Sequence, residues 1–139
     1  MKRFTAITLF AVASILSAGS ALAQKHAVQT TVPFDFTVGS KTLPSGTYTI
    51  IPVSDDLIEI RNSKTHLEVL TPAYATVQQS KNGGELVFDK SADHYFLRDI
   101  LCEFAAMNVS LPSSKLEKRT HVEEARIPSN GGQIVVAGE

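Results

Sequence analysis

The chain has 139 residues, of which 43% are hydrophobic and 19% are charged, and its formal net charge is −1. This length fits a single domain, and the absence of a basic run excludes nucleic acid as an expected partner. Cys102 is the only cysteine, which excludes an intramolecular disulfide.

The first 23 residues have the pattern of a secretory signal peptide. Lys2 and Arg3 precede an uncharged apolar stretch over residues 4–16, and Ala21-Leu22-Ala23 forms an A-x-A cleavage site. The apolar stretch is shorter than the roughly 20 residues that a membrane-spanning helix needs, although an uncleaved N-terminal anchor is the alternative. We expect cleavage after Ala23, a secreted or periplasmic location and no stable membrane span after cleavage. Without the signal peptide, 11 basic and 14 acidic residues give a net charge of −3.

The mature chain begins with a strictly alternating run from Val28 to Val38, which predicts a strand with one face on the core. Pro33 lacks a backbone N–H, so this strand is predicted to lie at an edge or to contain a bulge. Gly39-Ser40 predicts a two-residue hairpin loop, and the segment 43–46, Leu-Pro-Ser-Gly, predicts a second turn before a strand over residues 47–53. On the core side we expect Phe34, Phe36, Leu43, Tyr48 and Ile50.

Short runs separated by turn residues continue as far as Cys102. They predict strands over residues 57–61, 65–70, 73–79, 85–89 and 94–101. Asn82-Gly83-Gly84 predicts a hairpin, since these residues tolerate positive φ, and residues 90–93 predict another. Seven or eight strands at this spacing indicate an all-β fold, a small antiparallel β-sandwich or open barrel. Cys102 ends an apolar run and is expected in the core, the alternatives being a reactive, dimer-forming or catalytic thiol.

The C-terminal quarter changes pattern. Ser114 and Glu117 have the S-x-x-E spacing of a capping box, and good helix formers without Gly or Pro follow to residue 126. We expect a short helix within residues 111–127 that packs on or trails the β-domain of residues 24–110. Residues 128–139 form either a frayed tail or an added strand, and both alternatives stay open.

No group of titratable residues predicts a metal or cofactor site. The four histidines, His26, His66, His94 and His121, have no metal-ligand spacing. His66 and Glu68 would face the same side of a strand, but two ligands are too few for zinc. We therefore predict no metal and no cofactor.

The segment from residue 89 to residue 99 gathers polar residues that suggest a nucleophile and a base: Asp89, Ser91, Asp93, His94, Arg98 and Asp99. A catalytic triad is a spatial arrangement, however, and no G-x-S-x-G motif surrounds Ser91. We expect a polar hairpin turn and predict no catalytic residue, while the residues of any ligand site stay unknown. An exposed aromatic row could stack on sugar rings, but most aromatic residues are expected in the core.

Three motifs in this order carry a family resemblance: "VPFDFTVGSKTLPSGTYTI" from residue 32, "LVFDKSADHYFL" from residue 86 and "LPSSKLEKR" from residue 111. The chain resembles a family of small exported β-rich bacterial proteins with F-x-F…LP[AS]GxY, LVF…YFL and LPxS[KR] motifs. The resemblance covers residues 30 to 120 approximately. It implies an extracytoplasmic β-fold and no particular chemistry.

These observations lead to three hypotheses of function. The first is an exported non-enzymatic β-domain, an envelope-associated binding or structural module whose partner is an unknown envelope component or small ligand. The alternative is a small periplasmic hydrolase that uses the 89–99 hairpin. The third is a structural subunit that self-associates through an edge strand.

Overall fold

The computed structural model describes residues 27–125 and 132–138, which form eleven β-strands and one α-helix. In chain order the strands are β1 (Val28–Val32), β2 (Phe36–Val38), β3 (Lys41–Leu43), β4 (Gly46–Ser54), β5 (Leu57–Asn62), β6 (Glu68–Pro72), β7 (Tyr74–Ala75), β8 (Gly84–Ser91), β9 (His94–Cys102), β10 (Met107–Ser110) and β11 (Gly132–Ala137). The helix α1 spans Lys115–Glu124. The predicted all-β fold with a short C-terminal helix is confirmed, although a break in the first predicted strand and the additional strands β10 and β11 raise the number of strands to eleven.

The strands form two curled sheets that together make a half-barrel. The smaller sheet has the order β1-β4-β5-β6 and is antiparallel throughout. The larger sheet has the order β11-β8-β9-β10-β7, and the β2–β3 hairpin joins it through a parallel bridge from β2 to β9. On one side Thr30 links the sheets, because it pairs with Gly138 and its hydroxyl donates to the carbonyl of Ala137 over 3.0 Å. On the other side only the buried Ala73 separates β6 from β7.

The alternating run from Val28 to Val38 is divided between the two sheets. The expectation of one strand is wrong, because pairing with β4 ends at Val32 and the chain then crosses to β9. Pro33, which cannot donate a backbone hydrogen bond, lies at the break. The two-residue Gly39-Ser40 loop is confirmed, since Val38 pairs with Lys41 and Gly39 has a φ of 60°.

The core lies between the two sheets and contains an aromatic cluster. Phe36, Leu43, Tyr48 and Ile50 are buried as predicted, and Phe34 is partly buried against them. The ring centroid of Phe36 lies 5.1 Å from that of Tyr48 and 5.4 Å from that of Phe88, both in edge-to-face geometry. Such pairs stabilise a core beyond the area that they bury. Cys102 is also buried in the hydrophobic core, which confirms its predicted place.

The central strands of the larger sheet are buried on both faces. Leu86 and Phe88 belong to the core, whereas Glu85 and Val87 point to the opposite face and are still only 8% and 6% exposed. Something other than the smaller sheet must therefore cover the outer face of β8 and β9. Two parts of the chain do so: α1 contacts β8, and residues 76–82 lie over the other end.

Two further predictions, one of a hairpin turn and one of a strand face, differ from the structure. Asn82-Gly83-Gly84 does not close a hairpin, because β7 pairs with β10 and residues 76–82 cross to β8 without strand structure. Of the predicted strand 73–79, only β7 forms. The glycines have another role, since a Cβ at Gly84 would lie 2.8 Å from the carbonyl oxygen of Gly138. The second correction is His66, which precedes β6 in a turn with a φ of 56° and does not share a strand face with Glu68.

The C-terminal elements follow the sequence closely. Ser114 Oγ accepts a hydrogen bond from the Glu117 N–H over 3.0 Å, and Glu117 Oε2 accepts one from the Ser114 N–H over 3.1 Å, so the predicted capping box is present. Of the two alternatives for the last residues, the added strand is found, because β11 pairs with β8 in antiparallel register.

Some predictions fall on residues outside the described ranges. Residues 1–26 are among them, so the signal peptide over residues 1–23 and its cleavage after Ala23 stay predictions. His26 also lies outside the described ranges. The part of the chain that is described includes no helix of the length and apolarity needed to cross a bilayer.

We predict that Phe36→Ala lowers the free energy of unfolding by ~3–5 kcal/mol, the usual penalty for emptying a buried aromatic site. Denaturant titration measures this change. The matched control is Phe104→Ala, because Phe104 is 82% exposed and surface truncations usually change stability by less than about 0.5 kcal/mol. Equal effects of the two substitutions would contradict the placement of Phe36 in the core.

We also predict an alkaline loss of stability that depends on Tyr48. Burial raises the pKa of its phenol above 10.0; a hydrogen bond with Asn62 opposes this shift, and the charge of Asp35 adds to it. Because the pKa of this phenol is higher in the folded chain than in the unfolded chain, folding is favoured while the phenol is neutral. This contribution to the free energy of unfolding is complete below the unfolded pKa of about 10 and is lost as the pH rises through the folded pKa. The difference in unfolding free energy between wild type and Tyr48→Phe should therefore shrink as the pH rises above 10. A difference that stays constant over this rise in pH would refute this.

Candidate functional site

A cleft of about 510 Å³ lies on the outer face of the larger sheet, between residues 76–82 and the strands below. Its floor is apolar and consists of Val87 from β8, Leu101 from β9 and Val135 from β11. Its rim carries four exposed primary amides, those of Gln78, Gln79, Asn82 and Gln133. We name it the amide cleft.

Residues 76–82, the covering segment, are fixed near both ends by hydrogen bonds. At the start, the Thr76 N–H donates to the Asn108 carbonyl over 2.9 Å. At the end, Asn82 Nδ2 donates to Glu85 Oε1 over 2.9 Å, and the Asn82 N–H donates to Ser80 Oγ over 3.2 Å. The segment therefore spans the sheet at a defined place.

The electrostatics of the amide cleft favour a neutral ligand. Lys81 and Glu85 are the two charged side chains that line it, and their formal charges cancel. Glu85 is only 8% exposed and receives a hydrogen bond from Asn82. Each glutamine amide on the rim has two N–H donors and an acceptor oxygen, whereas Asn82 already uses one N–H in its hydrogen bond to Glu85. Together, the rim and floor can bind a molecule that has many hydroxyl groups and an apolar surface.

A second group of polar side chains surrounds Arg98, at the opposite end of the outer face. Val87 pairs with Asp99 and Phe88 pairs with Leu97, so Arg98 is an extra residue in β9. A β-bulge of this kind redirects a side chain out of the regular alternation.

The guanidinium of Arg98 binds three partners. Its Nε lies 3.1 Å from Asp89 Oδ2, and its Nη1 lies 3.3 Å from Glu117 Oε1. Nη1 also donates to Ser113 Oγ over 2.6 Å. We name Asp89, Arg98, Ser113 and Glu117 the ion-pair cluster. It connects β8, β9 and the start of α1.

The ion-pair cluster holds α1 on the sheet. Among the side chains of α1 that the structure describes, that of Glu117 is the buried one, whereas Leu116 and Val122 are 43% and 62% exposed. A helix normally docks through an apolar stripe. Here charge and hydrogen bonds replace that stripe, which explains why the helix sequence is so polar.

His121 brings a third potential metal ligand to this place. One ligand atom each from Asp89, Glu117 and His121 lie within 4.8 Å of one another, and such a set can bind a divalent cation. However, the guanidinium of Arg98 already lies 3.1 and 3.3 Å from the two carboxylates, and its charge balances one of their two negative charges. We therefore assign these side chains to helix docking.

The residues of the 89–99 hairpin do not form a nucleophile and base. Ser91 is fully buried, and its hydroxyl is closed to a substrate in this arrangement. His94 is exposed beside the two-residue turn. Asp99 accepts a hydrogen bond from the hydroxyl of Ser110. The geometry gives the hydrolase alternative no support.

The sequence did not predict that the residues of the amide cleft form a site. Gln133 lies more than fifty residues after Gln78 and Gln79, and β11 brings them together by pairing with β8. The available signal was local: residues 78–82, "QQSKN", contain three amides within five positions. A polar run in a connection usually indicates a solvated loop, so the pattern is weakly specific.

We predict that Arg98→Met lowers the free energy of unfolding by about 3 kcal/mol, because it leaves the carboxylate of Glu117 buried without its cation. Denaturant unfolding gives the value. The matched control is Arg61→Met: Arg61 pairs with Glu59 and Glu68 but is 47% exposed, and pairs of this kind contribute at most about 1 kcal/mol. If Arg98→Met destabilised the protein no more than Arg61→Met, the ion-pair cluster would not hold the helix.

Comparisons of the chain with models of protein families, with curated proteins and with solved structures give no match.

Proposed function

We propose that this protein is an exported, non-enzymatic β-domain that binds a neutral carbohydrate in the amide cleft. The observation that carries the proposal is the convergence of four amides above a floor of Val87, Leu101 and Val135. Three separate parts of the chain supply these groups, namely the covering segment, the β8–β9 hairpin and β11. The volume of about 510 Å³ is within the usual range for small-molecule sites.

The chemistry of a sugar ring matches both surfaces of the cleft. The edge of the sugar ring carries hydroxyl groups, each of which can donate and accept a hydrogen bond. An amide can pair with a hydroxyl group in both ways, because it has N–H donors and an acceptor oxygen. The faces of the sugar carry C–H groups, which pack on the aliphatic floor, chiefly on Val135, which is 54% exposed. A strongly charged ligand fits less well, because Lys81 and Glu85 balance each other.

The cellular setting of this proposal comes from the sequence. A cleavable signal peptide over residues 1–23 leads to a secreted or periplasmic domain. Glycans are abundant in the bacterial envelope, so a glycan is a suitable envelope-associated partner. The family resemblance stays a prediction, and it agrees with an exported β-domain that has no catalytic centre.

The test is a titration of the purified protein with three neutral tetrasaccharides: cellotetraose, chitotetraose and maltotetraose. We expect at least one of them to shift amide resonances of Gln78, Gln79, Asn82 and Gln133 in ¹H–¹⁵N spectra. Gln133→Leu should weaken that binding about tenfold, which corresponds to one lost hydrogen bond of about 1.4 kcal/mol.

The matched control is Gln29→Leu, which removes another exposed strand glutamine, on β1 of the smaller sheet. It should leave the affinity unchanged. Binding that responds equally to both substitutions, or no binding of any of the three sugars, would overturn the proposal.

A further inference from the structure

The most exposed aromatic ring in the described chain lies beside the amide cleft. Phe104, in the turn between β9 and β10, is 82% exposed. This ring lies outside the core, although burying an aromatic side chain stabilises a fold. A single exposed aromatic side chain is common on protein surfaces, but the position of Phe104 beside the amide cleft makes its ring available for stacking on a ligand bound there.

Backbone hydrogen bonds fix the turn that carries Phe104. The Glu103 N–H donates to the Gly83 carbonyl over 3.2 Å, and the Ala106 N–H donates to the Glu103 carbonyl over 3.1 Å. Gly83 has a φ of 91°, and a Cβ at this position would lie 2.7 Å from Phe104 Cε2. One side of the ring therefore rests on the glycine backbone.

Asn82 connects this ring to the amide cleft. A second depression, of about 190 Å³, is lined by Asn82, Gly84, Cys102 and Phe104 among others. Because Asn82 also lines the amide cleft, the two depressions meet at one side chain. Among the residues that the structure describes, Asn82 is the one lining residue that the two depressions share.

We propose that the ligand is a linear glycan of several sugars, which runs from the amide cleft past Asn82 to Phe104. The inference rests on the proposed function and extends it. The amides bind the hydroxyl groups of one part of the chain. Phe104 stacks its exposed ring on the C–H face of a sugar further along, so recognition depends on chain length.

The test compares a disaccharide, a tetrasaccharide and a hexasaccharide of each linkage, β-1,4-glucose, β-1,4-N-acetylglucosamine and α-1,4-glucose. We expect affinity to rise about tenfold or more from the disaccharide to the hexasaccharide, as one added stacking contact implies. Phe104→Ala should remove this gain and leave the affinity for the disaccharide unchanged. Phe104→Trp should restore it.

The control is Val77→Ala, which truncates a side chain that is 98% exposed in the covering segment and should not alter the gain with length. Unchanged thermal unfolding verifies that each variant is folded. If Gln133→Leu weakens binding but neither chain length nor Phe104→Ala matters, the extended path is wrong and the amide cleft still binds sugar. If no saccharide of any length binds, both proposals fail.

Discussion

The outer face of the β8–β9 hairpin is apolar and must be covered, and the positions of α1 and of residues 76–82 follow from this requirement. Its inner face packs on the smaller sheet through residues such as Leu86 and Phe88, as in any sandwich. Its outer face also carries apolar side chains, Val87, Phe96 and Leu101, which are 6%, 2% and 4% exposed. Burial of such side chains is the main force that stabilises a fold, so the remaining parts of the chain are arranged to shield them.

Two different elements, α1 and the covering segment, cover the two ends of that face. At one end, the bulge at Arg98 points a guanidinium at the first turn of α1, and the helix docks through charge. At the other end, the covering segment crosses the strands with few hydrogen bonds and leaves a cleft above Val87 and Leu101. The first arrangement is tight and polar, whereas the second leaves a cleft in which Val135 is 54% exposed and Val87 and Leu101 are only slightly exposed. The candidate site thus results from incomplete covering of the same face.

Local sequence patterns predicted much of the fold for clear physical reasons. The alternation from Val28 onward marks a half-buried face, and the Gly39-Ser40 loop and the Ser114–Glu117 capping box depend on residues only two or three positions apart. Where the prediction failed, a distant partner decided the outcome. Asn82-Gly83-Gly84 has the composition of a hairpin loop, but Gly84 is needed for the close approach of the Gly138 backbone, and Gly83 for a φ of 91°.

The candidate site could not be predicted from the sequence because it has no local motif. Burial of β8 on both faces cannot be read from "ELVFD" alone, since Glu85 has the polarity of a solvent-facing residue. Arg98 looked like part of a polar hairpin, and only the docked helix brings Glu117 to it. The four amides are neighbours because β11 returns to pair with β8. Such relations require the tertiary structure.

The central claim is that the open part of the β8–β9 face binds sugar. It is tested most directly by intermolecular nuclear Overhauser effects between a bound tetrasaccharide and the methyl groups of the protein. The account predicts contacts from sugar C–H protons to the methyl groups of Val87, Leu101 and Val135, which form the floor of the amide cleft. Contacts confined to the smaller sheet, for example to the exposed Leu70 of β6, would contradict it.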